Sequence, residues 1–280
     1  MLTQSPITIN LQKKLHGASG KMLLDIQAQI NEGEIIALYG TSGVGKTSTL
    51  RMLAGLMQPD SGSIQIGNER WYDSDKKINF TAQQRNVGLM FQDYALFPNM
   101  TVRANLEFAQ TKNADKKQVD ELIEAMQLGD LQHQFPTRLS GGQRQRVALA
   151  RTLAQGAKLL LLDEPLSALD ADMRRDLQDF LLAFHKKHQP TIVLVSHDIG
   201  EVFRLVNRVF VLENGKIIRT GTPLEAFAEG NKKLIGRVIE VDEEHGFMAV
   251  LIGNQVVRKP LDKRYKIGDD VPYDILLKDK

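Results

Sequence analysis

The sequence predicts an α/β fold: a mixed sheet with an antiparallel β part at its start, a helical segment inserted in its middle, and a small β domain at its end. Three observations carry this. An apolar run, Glu34 to Tyr39, passes straight into Gly40-Thr41-Ser42-Gly43-Val44-Gly45-Lys46-Thr47 and then into a helical pattern, the strand–loop–helix order of a phosphate-binding loop. The continuous apolar runs Leu159–Leu162 and Thr191–Val195 suit strands buried on both faces of a parallel sheet. After Gly230 only short strand patterns and turns remain.

In chain order, residues 6–11 and 22–30 alternate apolar and polar, with Met22, Leu24, Ile26, Ala28 and Ile30 on one face, the period of half-buried antiparallel strands. The helix after the glycine loop is expected to carry Leu50, Leu53 and Leu56 on one face, with Gly55 near its end. Ser63–Ile66 and Val87–Phe91 read as strands separated by a polar stretch. From Thr101 to Leu153 the pattern is helical, through Val102, Leu106 and Phe108, then Val119, Leu122, Ile123 and Met126, then Val147, Leu149 and Leu153. Asp172–His188 is an amphipathic helix. Thr222-Pro223-Leu224-Glu225 combines a capping residue, proline at the first helical position and an acid at the third. The expected late strands are Leu234–Val241, Phe247–Ile252, Gln255–Arg258 and Val271–Leu277.

With 280 residues, 42% of them hydrophobic and 25% charged, the chain has material for one large domain and an appendage. Thirty-six basic against 34 acidic residues give a net charge of +2, no reason to expect nucleic acid as a partner. The absence of cysteine excludes disulfides, thiolate zinc sites and a cysteine nucleophile. No export signal is expected from the opening residues. The apolar runs are far shorter than the roughly 20 residues of a spanning helix. If the protein works at a membrane, another chain is expected to cross it.

The chemistry concentrates at strand ends. Gly40, Gly43 and Gly45 let the backbone wrap so that amides point at phosphate oxygens, and the following helix adds its positive end. Lys46 reaches the β and γ phosphates and the Thr47 hydroxyl can ligand Mg²⁺. Asp163 and Glu164 follow Leu159–Leu162 at the carboxyl end of a buried strand, where open α/β sheets bind ligands. Asp163 is expected to hold Mg²⁺ and Glu164 to polarise the attacking water as general base. His197 follows Thr191–Ser196, again at a strand end, placed to donate to the γ-phosphate or the water. His185 and His188 imitate a metal pair, but Lys186 and Lys187 around them mark a solvated surface.

The order of Gly40–Thr47, Gln92, Leu139-Ser140-Gly141-Gly142-Gln143, Leu161–Pro165, Ser167-Ala168-Leu169-Asp170 and His197 resembles the ATPase subunit of an ABC transporter over residues 1–230. The resemblance implies a phosphate-loop core of ABC type over residues 1–231, with a helical subdomain at about 93–155, and a small accessory β domain at 232–280. It implies a head-to-tail homodimer with two ATPs and Mg²⁺ at the interface. Each ATP is then held by residues 40–48, through to Ser48, of one subunit and by Ser140, Gly141, Gly142, Gln143 and Asp170 of the other. Gln92 is implied to sense Mg²⁺ and the attacking water. Tyr94, Leu96 and Phe97 are implied to line a groove for the transmembrane permease subunits, the alternative being burial in the core. The family stacks adenine on an upstream aromatic residue. No Phe, Tyr or Trp precedes Tyr39 here, so His16 stacks instead or apolar contact holds the base.

Phe97–Val102 and Val211–Gly215 resemble importer ATPases, most of all those for molybdate and related oxyanions, with sulfate, iron and polyamine importers as alternatives. A solute-binding protein then acts indirectly, and the subunit sits on the inner, cytoplasmic face of the cell membrane through its permease. A structural tail is favoured over a regulatory one for residues 232–280.

Overall fold

The computed structural model describes residues 6–17, 20–110, 117–228, 235–243, 245–252 and 255–272. The chain begins with β1 (Ile7–Gly17) and β2 (Gly20–Ile30), paired antiparallel from Ile7 opposite Ile30. The first strand runs six residues past its expected end because Lys13 to Gly17 stay in register with Leu24 to Gly20. Next come β3 (Ile35–Tyr39), α1 (Lys46–Leu53) and β4 (Ser61–Ile66). The polar stretch beyond holds β5 (Glu69–Asp73), β6 (Ile78–Asn79) and the capped helix α2 (Ala82–Arg85). The Arg85 guanidinium is buried beneath the end of α1, donating to the carbonyls of Met52 and Leu53 at 2.6 and 2.9 Å, a cation on the negative end of a helix.

β7 (Gly88–Met90) leads into the helical segment of α3 (Val102–Ala109), α4 (Lys117–Ala125) and α5 (Gly141–Ala154). β8 (Leu159–Asp163), α6 (Ala171–His188), β9 (Thr191–Val195) and α7 (Ile199–Leu205) follow. β10 (Arg208–Glu213), β11 (Lys216–Gly221) and α8 (Pro223–Ala228) come next. At the start of α8 the Thr222 amide donates to Glu225 and the Glu225 amide to the Thr222 hydroxyl, the reciprocal cap its sequence predicts. The expected boundary at 231/232 lies outside the described residues.

Eleven strands form one sheet, ordered β6-β5-β4-β1-β2-β11-β10-β3-β9-β8-β7. The strands β10, β3, β9, β8 and β7 are mutually parallel, whereas β6 to β2 pair antiparallel. The parallel strands divide their side chains between two cores. Ile35, Ala37, Leu160, Leu162, Ile192 and Leu194 face the core shared with α3 to α6. Ile36, Leu38, Leu159, Leu161, Val193 and Val195 face the core shared with α1 and the antiparallel strands. Burial on both faces is why these segments read as unbroken apolar runs.

A second sheet contains β12 (Ile235–Asp242), β13 (Phe247–Ile252), β14 (Gln255–Pro260) and β15 (Asp270–Pro272), ordered β14-β13-β12-β15. Val238, Met248, Val250 and Val271 form its small core. Gly253-Asn254 and the expected strand beyond Pro272 lie outside the described residues.

Two apolar expectations are corrected. Leu56 is half exposed, because α1 ends at Leu53 and the chain turns at Gly55. Phe108 is 62% exposed, its ring set edge-on to Phe97 at 4.8 Å instead of buried with Val102 and Leu106.

Candidate active site

The parallel register places the chemistry. Leu38 lies opposite Val195, and Asp163 is also opposite Val195, so the glycine loop after β3, Glu164 after β8 and His197 after β9 leave the sheet at one edge. A cleft of about 340 Å³ opens there. Ser42, Gly43, Gly45, Lys46, Thr47 and Ser48 line it, together with Gln92, Glu164 and Val195.

Gly45 is the cap of α1 at φ +105°, and a Cβ there would stand 2.5 Å from Leu24; backbone conformation and space both require glycine. Lys46 Nζ donates to the carbonyls of Gly40 and Thr41 at 2.7 and 2.9 Å. Burial lowers the pKa of its ammonium, opposed by the charges of Glu164 and then Asp163. Val44 is buried in the core beneath the loop.

Burial raises the Asp163 carboxyl, opposed by a hydrogen bond from Thr47, with Glu164 adding to the rise. Thr47 hydroxyl, Asp163 carboxylate and the Gln92 amide are hard oxygen donors, and a divalent cation would restore the charge on Asp163 that burial opposes; the set fits Mg²⁺. Glu164 has φ +50° and its amide donates to Val195 at 3.0 Å. Its Oε1 lies 3.3 Å from His197 Nδ1. A second cleft, lined by Glu164, Ser196, His197, Arg174 and Glu201 among others, continues from this pair.

Leu15, His16, Gly20, Met22 and Met57 also line the first cleft. Leu15 and Met22 are cross-strand partners and half-buried, whereas His16 is exposed. Both alternatives that the sequence left open, His16 and apolar side chains (Leu15, Met22 and Met57), are therefore present in the lining of this cleft.

The pentad lies apart from this cleft. Ser140 caps α5: its Oγ accepts from the Gln143 amide at 3.2 Å while Gln143 Oε1 accepts from the Ser140 amide at 2.8 Å. Gly142 leaves 3.0 Å between an added Cβ and the Ala168 carbonyl oxygen. Asp170 caps α6, accepting from the Met173 amide at 2.9 Å. None of Ser140, Gly141, Gly142, Gln143 or Asp170 lines the cleft of its own chain.

Gln92 is exposed and begins a bend in which Tyr94 and Ala95 both have positive φ, +65° and +42°. Arg151 holds that bend by donating to the carbonyls of Ala95 and Tyr94 at 2.7 and 3.1 Å. Tyr94 and Leu96 pack partly against the core, and Phe97 lies between Phe108 and Arg151. His185 donates to the Gly33 carbonyl at 2.9 Å and His188 is exposed, so the two do not act as a pair.

Sequence reasoning passed over Asn105, Gln145, Arg151 and Glu201. The first, second and fourth are polar residues on otherwise buried helix faces, the pattern that flags a side chain held by specific partners.

A glycine-rich loop opening a helix at the carboxyl edge of a parallel sheet, with a carboxylate and an imidazole meeting beside it, defines a phosphate-loop nucleotide hydrolase of the ATP-binding cassette class. The ABC transporter family model matches residues 23–167, and the chain belongs to that family. It is 43% identical over 221 residues to the probable sulfate/thiosulfate import ATP-binding protein CysA of Chlorella vulgaris, covering 77% of this chain and 90% of that one. It is 44% identical over 222 residues to the sulfate/thiosulfate import ATP-binding protein CysA 1 of Agrobacterium fabrum, covering 76% of this chain and 62% of that one. The fold superposes on the dimeric ATP-binding cassette MJ0796, in a post-hydrolysis state with ADP and Pi, with a TM-score of 0.68 at 27% identity, covering 78% of this chain and 98% of that one. No described helix is long and apolar enough to cross a membrane.

Proposed function

We propose that this chain is the ATP-hydrolysing motor of a membrane importer for sulfate or thiosulfate. The observation that carries the hydrolytic part is the contact of Glu164 with His197 at the edge of the phosphate-loop cleft. The solute is taken from the relatives, which are named for sulfate/thiosulfate and not for the molybdate that the sequence pieces suggested.

ATP enters with its base on Leu15, Met22 and Met57 and its phosphates on the amides of residues 40–48. Lys46 turns from the Gly40 and Thr41 carbonyls to the β and γ oxygens. Thr47, Asp163 and Gln92 would hold Mg²⁺, which would supply positive charge against the phosphates. Glu164 takes the proton of the attacking water while His197 donates to the γ-phosphate. Because the reaction is positioning and electrostatics, the site is completed by Ser140, Gly141, Gly142, Gln143 and Asp170 of a second copy set head to tail. Support for this trans arrangement is that the pentad lies outside its own chain's cleft, as an N-terminal helix cap suited to anions. The bend at Gln92 to Phe97 receives the permease, which anchors the subunit on the inner face of the membrane. Residues 232–280 form the accessory β domain, structural in role.

The test is reconstitution with the partner permease and a panel of binding proteins loaded with sulfate, thiosulfate or molybdate. ATP hydrolysis is expected to rise with the first two. Stimulation by molybdate alone overturns the solute, and no hydrolysis with any of them overturns the motor.

A further inference from the structure

Gln145 is 1% exposed in α5, among Val147, Ala148, Leu149 and Ala150, all fully buried. A primary amide in such surroundings is costly unless it is hydrogen-bonded. Its partners all belong to one short segment. Nε2 donates to the Glu164 carbonyl at 2.9 Å and the Ser167 hydroxyl at 3.2 Å, and Oε1 accepts from the Ala168 amide at 2.9 Å. Gly142, three residues earlier on the same helix face, brings the backbone of α5 against the Ala168 carbonyl. Glu164 is thus held from both sides, its amide by Val195 and its carbonyl by Gln145. Its left-handed backbone, costly for a non-glycine residue, persists because those neighbours over-determine it.

We propose that Gln145 is a positioning residue for hydrolysis, tying the pentad helix to the backbone of Glu164 so that ATP seated on Ser140–Gln143 from the opposite subunit sets the Glu164 carboxylate in its own cleft. The proposal deepens the trans reading given above and rests on it. Helix α5 is the rigid connection: its first turn carries the capping box, and its next turn carries the amide that holds the catalytic strand end. Gln145 itself touches neither cleft, so it acts through Glu164.

The experiment compares the full chain with Gln145→Met, which removes the hydrogen bonds at similar volume, and Gln145→Glu, which keeps the acceptor for Ala168 but loses the donor when ionised. Steady-state ATP hydrolysis, binding of a fluorescent ATP analogue, and ATP-dependent dimer formation in a Glu164→Gln background are measured. Both variants are expected to lose about 10-fold or more in kcat, with KM and analogue binding within about twofold, from the loss of all three hydrogen bonds in Gln145→Met and of the two donated by Nε2 in ionised Gln145→Glu. ATP-dependent dimers still form. Gln145→Glu recovers kcat as pH falls and its carboxyl regains a proton to donate, and Gln145→Met does not. If Gln145→Met fails to fold, the pH profile of Gln145→Glu carries the test. Wild-type kcat in the variants, or a loss that tracks weakened nucleotide binding and has no pH recovery, overturns the proposal. Failure of the unsubstituted chain to hydrolyse ATP, or of Glu164→Gln to dimerise with it, overturns the trans reading and this proposal with it, and is read from those two proteins alone.

Discussion

His197 Nδ1 stands 3.3 Å from Glu164 Oε1, although 33 positions separate the two residues in the chain. Adjacent parallel strands of matched register bring them together, since Asp163 pairs with Val195. One side chain is 25% exposed and the other 66%, so the pair faces the cleft mouth where water arrives. Replacing Glu164 by Gln removes the proposed base and keeps the shape. Hydrolysis should fall about 10²- to 10⁴-fold while ATP still drives dimerisation. Normal turnover in that variant, measured by phosphate release, would remove Glu164 from its role.

Ser140→Ala deletes one half of the capping box at the start of α5. The cap contributes about 1 kcal/mol, so the denaturation midpoint should move only modestly. ATP-dependent dimerisation should weaken far more if, as proposed above, the hydroxyl and the neighbouring amides serve the opposite subunit's nucleotide. Sedimentation with and without ATP checks this, and an unchanged dimer would sink the half-site.

Asn105 is fully buried and holds four backbone groups: it accepts from the Phe97 amide at 2.9 Å and donates toward the carbonyls of Phe97, Met100 and Thr101 at 3.2, 3.1 and 3.0 Å. Asn105→Leu leaves these groups without their partner. A loss of roughly 2–4 kcal/mol in unfolding free energy is expected, with each orphaned buried group costing about 1–3 kcal/mol. Basal hydrolysis should survive and stimulation through the permease should not, since the bend loses its Asn105 anchor at Phe97 and keeps the Arg151 bonds at Tyr94 and Ala95. Retained stimulation would show that this bend does not carry the contact.

Glu201 is 4% exposed, with Oε2 accepting from the Ser196 hydroxyl at 2.7 Å and Oε1 without a hydrogen-bond partner. Burial first, with Asp198 and Glu164 adding and Ser196 and Arg174 opposing, raises its carboxyl from 4.5 to about 7. A raised carboxyl favours the folded state fully below pH 4.5, and that contribution is lost as pH rises to about 7. Over this window the contribution amounts to about 3 kcal/mol. Glu201→Gln should remove that part of the pH dependence, so its stability relative to wild type rises from pH 4.5 to 7 and is level above. Parallel curves in urea titrations across this range would contradict the assignment.

Much of this molecule was legible in advance because the signals are local. Glycines that permit a tight loop, a carboxylate ending an apolar strand, and Thr222 with Glu225 three residues on all act within a few positions of themselves. Extents were less legible. β1 continues to Gly17 because its partner does, and Leu56 left the apolar face because α1 stops before it. Phe108, two residues after Leu106, falls on another side of α3 from the buried Val102 and Leu106 and sets its ring against Phe97.

Without foretelling β5, β6, α2, α7, β10 or β11, the sequence by itself determined the family, the strand–loop–helix order around Gly40–Thr47 and the apolar strands β8 and β9. Each depends on residue type and short spacing. Tertiary structure alone decided that Leu15 and Met22 pair across β1 and β2 in the lining of the cleft, that the pentad lies outside that cleft of its own chain, and that Gln145 grips Glu164 from behind. Those contacts depend on strand register and helix packing between distant segments, which no period within either segment encodes.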